Sequence, residues 1–247
     1  MINLTFNIND NFLASYLIAN YKSDRLFESN KDKYEKDIIS FQNLAWEKSK
    51  DLCMFIDGRW PSYKYVASEG ANFKETGENI DNFLKSVCKT EEFGILRTQT
   101  ENSEKKIQEE WERNYDTTSK YINDLGISTS GNYEILLVHP GIKSGNNIGN
   151  NRIIWSHKDP WPNYNTVYIW HEILHTVINN NDKTHALIEL ICDDEMRKLL
   201  NNIEYPPFEG HPYLKEVKEK IFPLWQSYLL SDKKDVSELI SKIENLS

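Results

Sequence analysis

Apolar residues in the first half of the chain recur at three- and four-residue steps, the spacing of amphipathic helices. Asn9 to Asn20 carries Phe12, Leu13, Tyr16, Leu17 and Ile18, and Lys31 to Met54 carries Tyr34, Ile38, Phe41, Leu44, Ala45 and Leu52. The segment Asp57-Gly58-Arg59-Trp60-Pro61 breaks this pattern, and a loop through Gly70 and Gly77 follows. Helices are predicted again over Asn79 to Val87 and Thr100 to Leu125, the second long and highly charged. Ile107, Trp111, Tyr115, Tyr121 and Ile122 form its inward stripe.

Around Gly126 the texture changes to short β-like runs. Tyr133-Glu134-Ile135-Leu136-Leu137-Val138-His139 reads as a strand closed by Pro140-Gly141, and Arg152-Ile153-Ile154-Trp155-Ser156-His157 as a second strand. The Gly/Asn-rich stretch from Gly145 to Asn151 reads as a turn or flexible loop, and Asp159-Pro160-Trp161-Pro162-Asn163 as a rigid connector. Helical patterns then resume over about Thr166 to Ile178, Thr184 to Asn201, Tyr213 to Leu230 and Val236 to Leu246. The expected fold is α+β and predominantly helical, with a mainly helical part over 1–128 and a second part over 129–247 that pack as one unit. There is no internal repeat and no low-complexity linker.

Composition narrows the function classes. The chain has 247 residues, long enough to bury a sizeable core without staples, and 39% hydrophobic residues exclude wholesale disorder. Lys and Arg number 29 against 38 Asp and Glu, a net charge of −9, which argues against nucleic acid or anionic lipid as a partner. No basic and apolar leader and no long charge-free run is present, so the chain is expected to be soluble and cytoplasmic. Cys53, Cys88 and Cys192 are far apart and never form a Cys-x-x-Cys pair, so they read as buried free thiols.

The most informative residues are His171-Glu172-Ile173-Leu174-His175, an HExxH motif inside a predicted helix. Positions i and i+4 share a helix face, so the two imidazoles can converge on one ion. Glu172, roughly 100° around the axis, can reach a water on that ion. The flanks Val167-Tyr168-Ile169-Trp170 and Thr176-Val177-Ile178 are uncharged, which suits a buried helix, and Asn165 or Thr166 is a candidate cap for its start.

Catalytic zinc usually takes three protein ligands and leaves the fourth position open. A turn over Asn179-Asn180-Asn181-Asp182-Lys183 would fold the next helix back antiparallel, bringing Glu189 level with His175 and Asp193 level with His171. Glu189 can then close the shell, and Asp193 can accept the second ring N–H of His171. A one-turn difference would hand the third position to His185 or Asp193 instead.

His171-Glu172-Ile173-Leu174-His175 followed by Glu189-Leu190-Ile191-Cys192-Asp193 resembles the HExxH plus ExxxD pair of the gluzincin metallopeptidases, the thermolysin-like branch of the zincins. The resemblance implies one zinc ion held by His171, His175 and Glu189, with Glu172 as general base and Asp193 behind His171. It also implies an edge strand aligning a peptide beside the active helix, a place taken here by Arg152 to Trp155. It covers only about residues 151 to 195, and the gap between His175 and Glu189 (189 − 175 = 14 positions) is shorter than in thermolysin. A Tyr or His that stabilises the transition state is implied too, with His211 the first candidate, then Tyr205 and Tyr213.

The expected activity is zinc-dependent hydrolysis of peptide bonds in a peptide or protein substrate. Hydrolysis of a non-peptide amide at the same metal site is a variant of that reading, and an inactive zincin-like binding protein is the alternative. Trp155, Trp161, Tyr164, Tyr168 and Trp170 read as core packing around the active helix in preference to a substrate pocket. His139 and His157 end candidate strands and read as loop residues, and His185 reads as a cap or a solvent-facing residue.

Overall fold

In the computed structural model, which describes residues 1–20, 34–59, 78–157, 161–179, 181–202 and 210–246, helices dominate and one four-stranded sheet accompanies them. The predicted Trp60-Pro61 break, the loop through Gly70 and Gly77, the start of the Lys31 helix, Asp159-Pro160 and Tyr205 lie outside the described residues. Contacts divide the chain into two units, Met1–Leu4 with Ile107–Tyr133 and Asp159–Ser247, and Thr5–Lys106 with Glu134–Lys158. The units interleave along the chain, where the change of texture near Gly126 suggested a single boundary. The reason is that a long helix over Glu91–Asp124 and strands over Ile2–Asn7 and Gly131–Leu137 each run from one unit into the other.

The sheet unit holds the second part of β1 (Ile2–Asn7), α1 (Asp10–Ala19), α2 (Glu35–Lys48), α3 (Lys50–Gly58), α4 (Glu78–Val87), the first part of α5 (Glu91–Asp124), the second part of β2 (Gly131–Leu137), β3 (Ser144–Asn147) and β4 (Arg152–Ser156). The Asn9 side chain caps α1 by accepting the Phe12 N–H. The single helix expected up to Met54 is divided at Ser49, whose extended backbone ends α2 and whose hydroxyl accepts the Leu52 N–H to start α3. Phe12, Leu17, Phe41, Leu84, Phe93, Leu136 and Ile154 belong to one buried cluster in this unit.

Sheet order is β1-β2-β4-β3. β4 runs parallel to β2, with Ile135 opposite Ile153, and antiparallel to β3, with Ser144 opposite Ser156. The expectation that Arg152 to Trp155 forms an edge strand is therefore corrected, because Ser144–Asn147, part of the stretch read as a loop, pairs along its outer side. The Gly/Asn signal belongs to the turn between them. Gly149, Asn150 and Asn151 all have positive φ, a conformation that Gly and Asn adopt at least cost. His139 is a buried structural residue whose Nδ1 accepts the Gly141 N–H at 3.0 Å and whose Nε2 lies 2.8 Å from Gln99 Oε1. Burial pulls its pKa down to about 3.

The helical unit contains the rest of α5, then α6 (Tyr164–Val177), α7 (Asp182–Glu189), a π-helical segment (Leu190–Met196), α8 (Arg197–Asn201), a 3-10 turn (Pro212–Leu214), α9 (Lys215–Leu230) and α10 (Val236–Glu244). Ile122, Ile173, Leu187, Ile221, Trp225 and Ile243 are buried in it, and the rings of Trp111 and Trp170 lie 5.5 Å apart. The Trp170 indole N–H donates to Thr118 Oγ1 at 2.8 Å, so this large side chain is buried with its polar atom satisfied. Gly126, at φ +71°, follows α5; a Cβ there would stand 2.8 Å from the carbonyl oxygen of Lys234.

Candidate metal centre

The HExxH helix begins at Tyr164 without a local side-chain cap, since Asn163 is left-handed at φ 62° and caps nothing. The expected cap at Asn165 or Thr166 is replaced by a residue of α5. Buried Glu110 accepts the Thr166 N–H at 2.7 Å and the Asn165 side-chain N–H at 3.1 Å. A carboxylate at this point satisfies otherwise orphaned amides and complements the positive end of the helix dipole. Asn114 adds hydrogen bonds to Asn163 Oδ1 at 2.8 Å and Thr166 Oγ1 at 3.0 Å.

One turn of α6 then separates His171 from His175. Their rings lie 4.9 Å apart, and His185 of α7 completes a triangle at 5.3 Å from His171 and 4.7 Å from His175. Each of the three offers a ring nitrogen within 4.8 Å of the others. α7 is set in place by a reciprocal cap, in which the Asn181 side chain accepts the Thr184 N–H while Thr184 Oγ1 accepts the Asn181 N–H. His185 follows directly and faces the motif histidines, neither capping the helix nor turning to solvent as the sequence suggested.

Glu189 sits one turn further along α7, fully buried. It falls in a different group, with His185 and His211. Its Oε1 accepts the backbone N–H of His211 at 2.8 Å and lies 2.6 Å from His211 Nδ1, while Oε2 lies 2.7 Å from Lys218 Nζ of α9. Burial raises the Glu189 pKa, but the hydrogen bonds from His211 and Lys218 outweigh it and hold the carboxyl at about 2. The residue brought together with both motif histidines is therefore His185, and the expected third ligand Glu189 is engaged by groups from residues 211–218.

Asp193, in the π-helical segment packed against α6, has its Oδ1 3.5 Å from His171 Nδ1. Burial lifts the Asp193 carboxyl, and Asp193 in turn outweighs the effect of burial on His171 and keeps that imidazole above its ordinary value. His175 and His185 go the other way. Burial and repulsion from neighbouring histidines lower them to about 3 and about 4, so both are neutral at pH 7, the form that binds metal.

No protein-family model, curated protein or solved structure matches this chain. The chemistry of the site is therefore read from its own atoms.

The donor set fits a dication such as zinc. His175 Nδ1 and His185 Nε2 are buried and have no hydrogen-bond partner among the described residues, a costly arrangement for polar atoms unless something else satisfies them. Glu172 follows His171 on α6, is half-buried, and its charge acts on His171 and Cys192. His211 is half exposed, with its ring 4.8 Å from that of His185, and Tyr213 is exposed. Trp161 meets Tyr164 edge-on, Tyr164 and Tyr168 pack tilted against each other, and Tyr168 reaches the His171 ring at 5.9 Å. Arg197 covers Trp161 at 4.5 Å from its ring centre. No helix among the described residues is long and apolar enough to cross a membrane. All three cysteines are free thiols, with Cys192 buried next to Asp193.

Proposed function

We propose that the chain is a zinc-dependent hydrolase of peptide bonds, with the metal held by His171, His175 and His185. The observation that carries this reading is the convergence of ring nitrogens of His171, His175 and His185 within 4.8 Å, the first two on the helix that also bears Glu172, with His175 and His185 each carrying a buried nitrogen without a partner among the described residues. The HExxH spacing and the Asp193–His171 pair add the likeness to gluzincins, while the third ligand departs from it.

A zinc ion held by His171, His175 and His185 would supply an acidified water and polarise a carbonyl. Glu172 would accept the proton of that water and return it to the leaving amine. Asp193 holds the His171 ring in its orientation, as carboxylates behind metal-bound imidazoles do. His211 has Nδ1 against Glu189 and its ring half exposed, so with both ring nitrogens protonated its Nε2 would donate a hydrogen bond to the charge that develops on the substrate oxygen.

Metal content and cleavage of a peptide library, measured on the full chain with and without chelator, test the reading. Chelator-sensitive cleavage restored by zinc supports it. A chain that binds zinc yet cleaves nothing favours a zincin-like binding protein instead.

A further inference from the structure

Lys218 is the one buried lysine among the described residues, and its ammonium group lies 2.7 Å from Glu189 Oε2. Glu189 has no exposed surface, and Lys218 is only 8% exposed. Burying two charges is expensive, and a pair like this is tolerated when geometry and further hydrogen bonds are good, which His211 supplies on the other carboxylate oxygen. The carboxylate is nonetheless close enough to compete for a metal, because it has an oxygen within 4.8 Å of a ring nitrogen of His185.

We infer that Lys218 withholds Glu189 from the metal, so that the centre is bound by three neutral histidines in place of two histidines and a carboxylate; this rests on the metal reading given above. The consequence is electrostatic. Three imidazoles leave the dication's full charge on the site, whereas a carboxylate ligand would cancel part of it, and ligand charge sets the acidity of a coordinated water. Lys218 touches neither the substrate nor the metal in this assignment. It is a positioning residue that acts through Glu189.

The test uses the full chain loaded with cobalt(II), whose visible absorption reports the ligand set, together with cobalt affinity measured by chelator competition. The variants are Lys218→Met and the double variant Lys218→Met/Glu189→Gln, with Lys218→Arg as the charge-conserving control. In K218M the released carboxylate joins the metal, so the spectrum changes and affinity rises about tenfold or more. K218R and the double variant keep the wild-type spectrum and an affinity within about threefold of wild type.

A K218M spectrum identical to wild type overturns the inference, and so does loss of cobalt from the double variant, which would make Glu189 a ligand already. Where K218M alone does not fold, the neutral pair in the double variant still decides the point: the wild-type spectrum supports withholding, and loss of cobalt refutes it. Wild-type chain that binds no cobalt refutes the metal reading itself, an outcome distinct from the other two.

Discussion

Glu110 and Thr166 are 56 positions apart in sequence, yet the carboxylate of the first accepts the backbone N–H of the second at 2.7 Å. The helix that presents His171, Glu172 and His175 is thus started by a residue of the long charged helix before it. Removing that carboxylate strands buried donors on Thr166 and Asn165. Glu110→Ala is expected to cost about 2 kcal/mol in urea unfolding, while Glu110→Gln, which keeps an acceptor oxygen, costs about 1 kcal/mol or less.

Glu172 is assigned to proton transfer and not to metal binding. Glu172→Gln should retain wild-type zinc content and lower peptide hydrolysis about 10²–10⁴-fold, the usual size of a general acid–base contribution. Loss of zinc in this variant would move Glu172 into the ligand set.

The metal-free protein should become less stable as pH falls from about 6.5 to 4. His175 and His185 have folded values of about 3 and about 4, below the ordinary 6.5, so in that window the unfolded chain binds protons that the folded chain refuses. Buried His139, held at about 3, adds to the same slope. Glu189, held at about 2 against 4.5, adds a further loss below about pH 4.5. His171 opposes this, because a raised value contributes stability that is present below 6.5 and fades as pH rises through the folded value. The raised Asp193 carboxyl opposes it as well, and thermal melts of chelated protein at stepped pH check whether the three lowered histidines prevail.

Gly126 combines a positive φ with a carbonyl oxygen 2.8 Å from where a Cβ would stand. Gly126→Ala should destabilise by at least about 2 kcal/mol, since the left-handed backbone alone costs about 1–2 kcal/mol for a side chain and the Lys234 backbone must also move. Chemical denaturation measures it, and a change below about 0.5 kcal/mol would contradict the close approach.

Much of the site was legible because helical periodicity is local. The i, i+4 spacing puts His171 and His175 on one face, and a short turn returning antiparallel puts Asp193 against His171. His185 was harder to place, since choosing it over Glu189 depends on how α7 is rotated about its axis and on what occupies the carboxylate. Lys218 and His211 engage that carboxylate, and neither carries any spacing signal relative to the motif. In the same way Glu110 caps α6 from a distance that no local pattern encodes.

The sheet was half legible for a related reason. The apolar runs of β2 and β4 announce themselves, whereas Ser144-Gly145-Asn146-Asn147 has the composition of a turn and becomes a strand only through pairing with β4. Ile2–Asn7 alternates apolar Ile2, Leu4 and Phe6 with polar residues, the period of a strand, but it joins a strand more than a hundred residues away, so its place in the sheet follows from the fold and not from local pattern.

The proposed metal is held by His171, His175 and His185. Zinc per chain, measured by elemental analysis on purified wild type and on the three single alanine variants, tests it most directly. One equivalent is expected in wild type, with its loss in each variant, His185→Ala as fully as the two motif histidines. Wild type without zinc, or His185→Ala with a full equivalent, would contradict it.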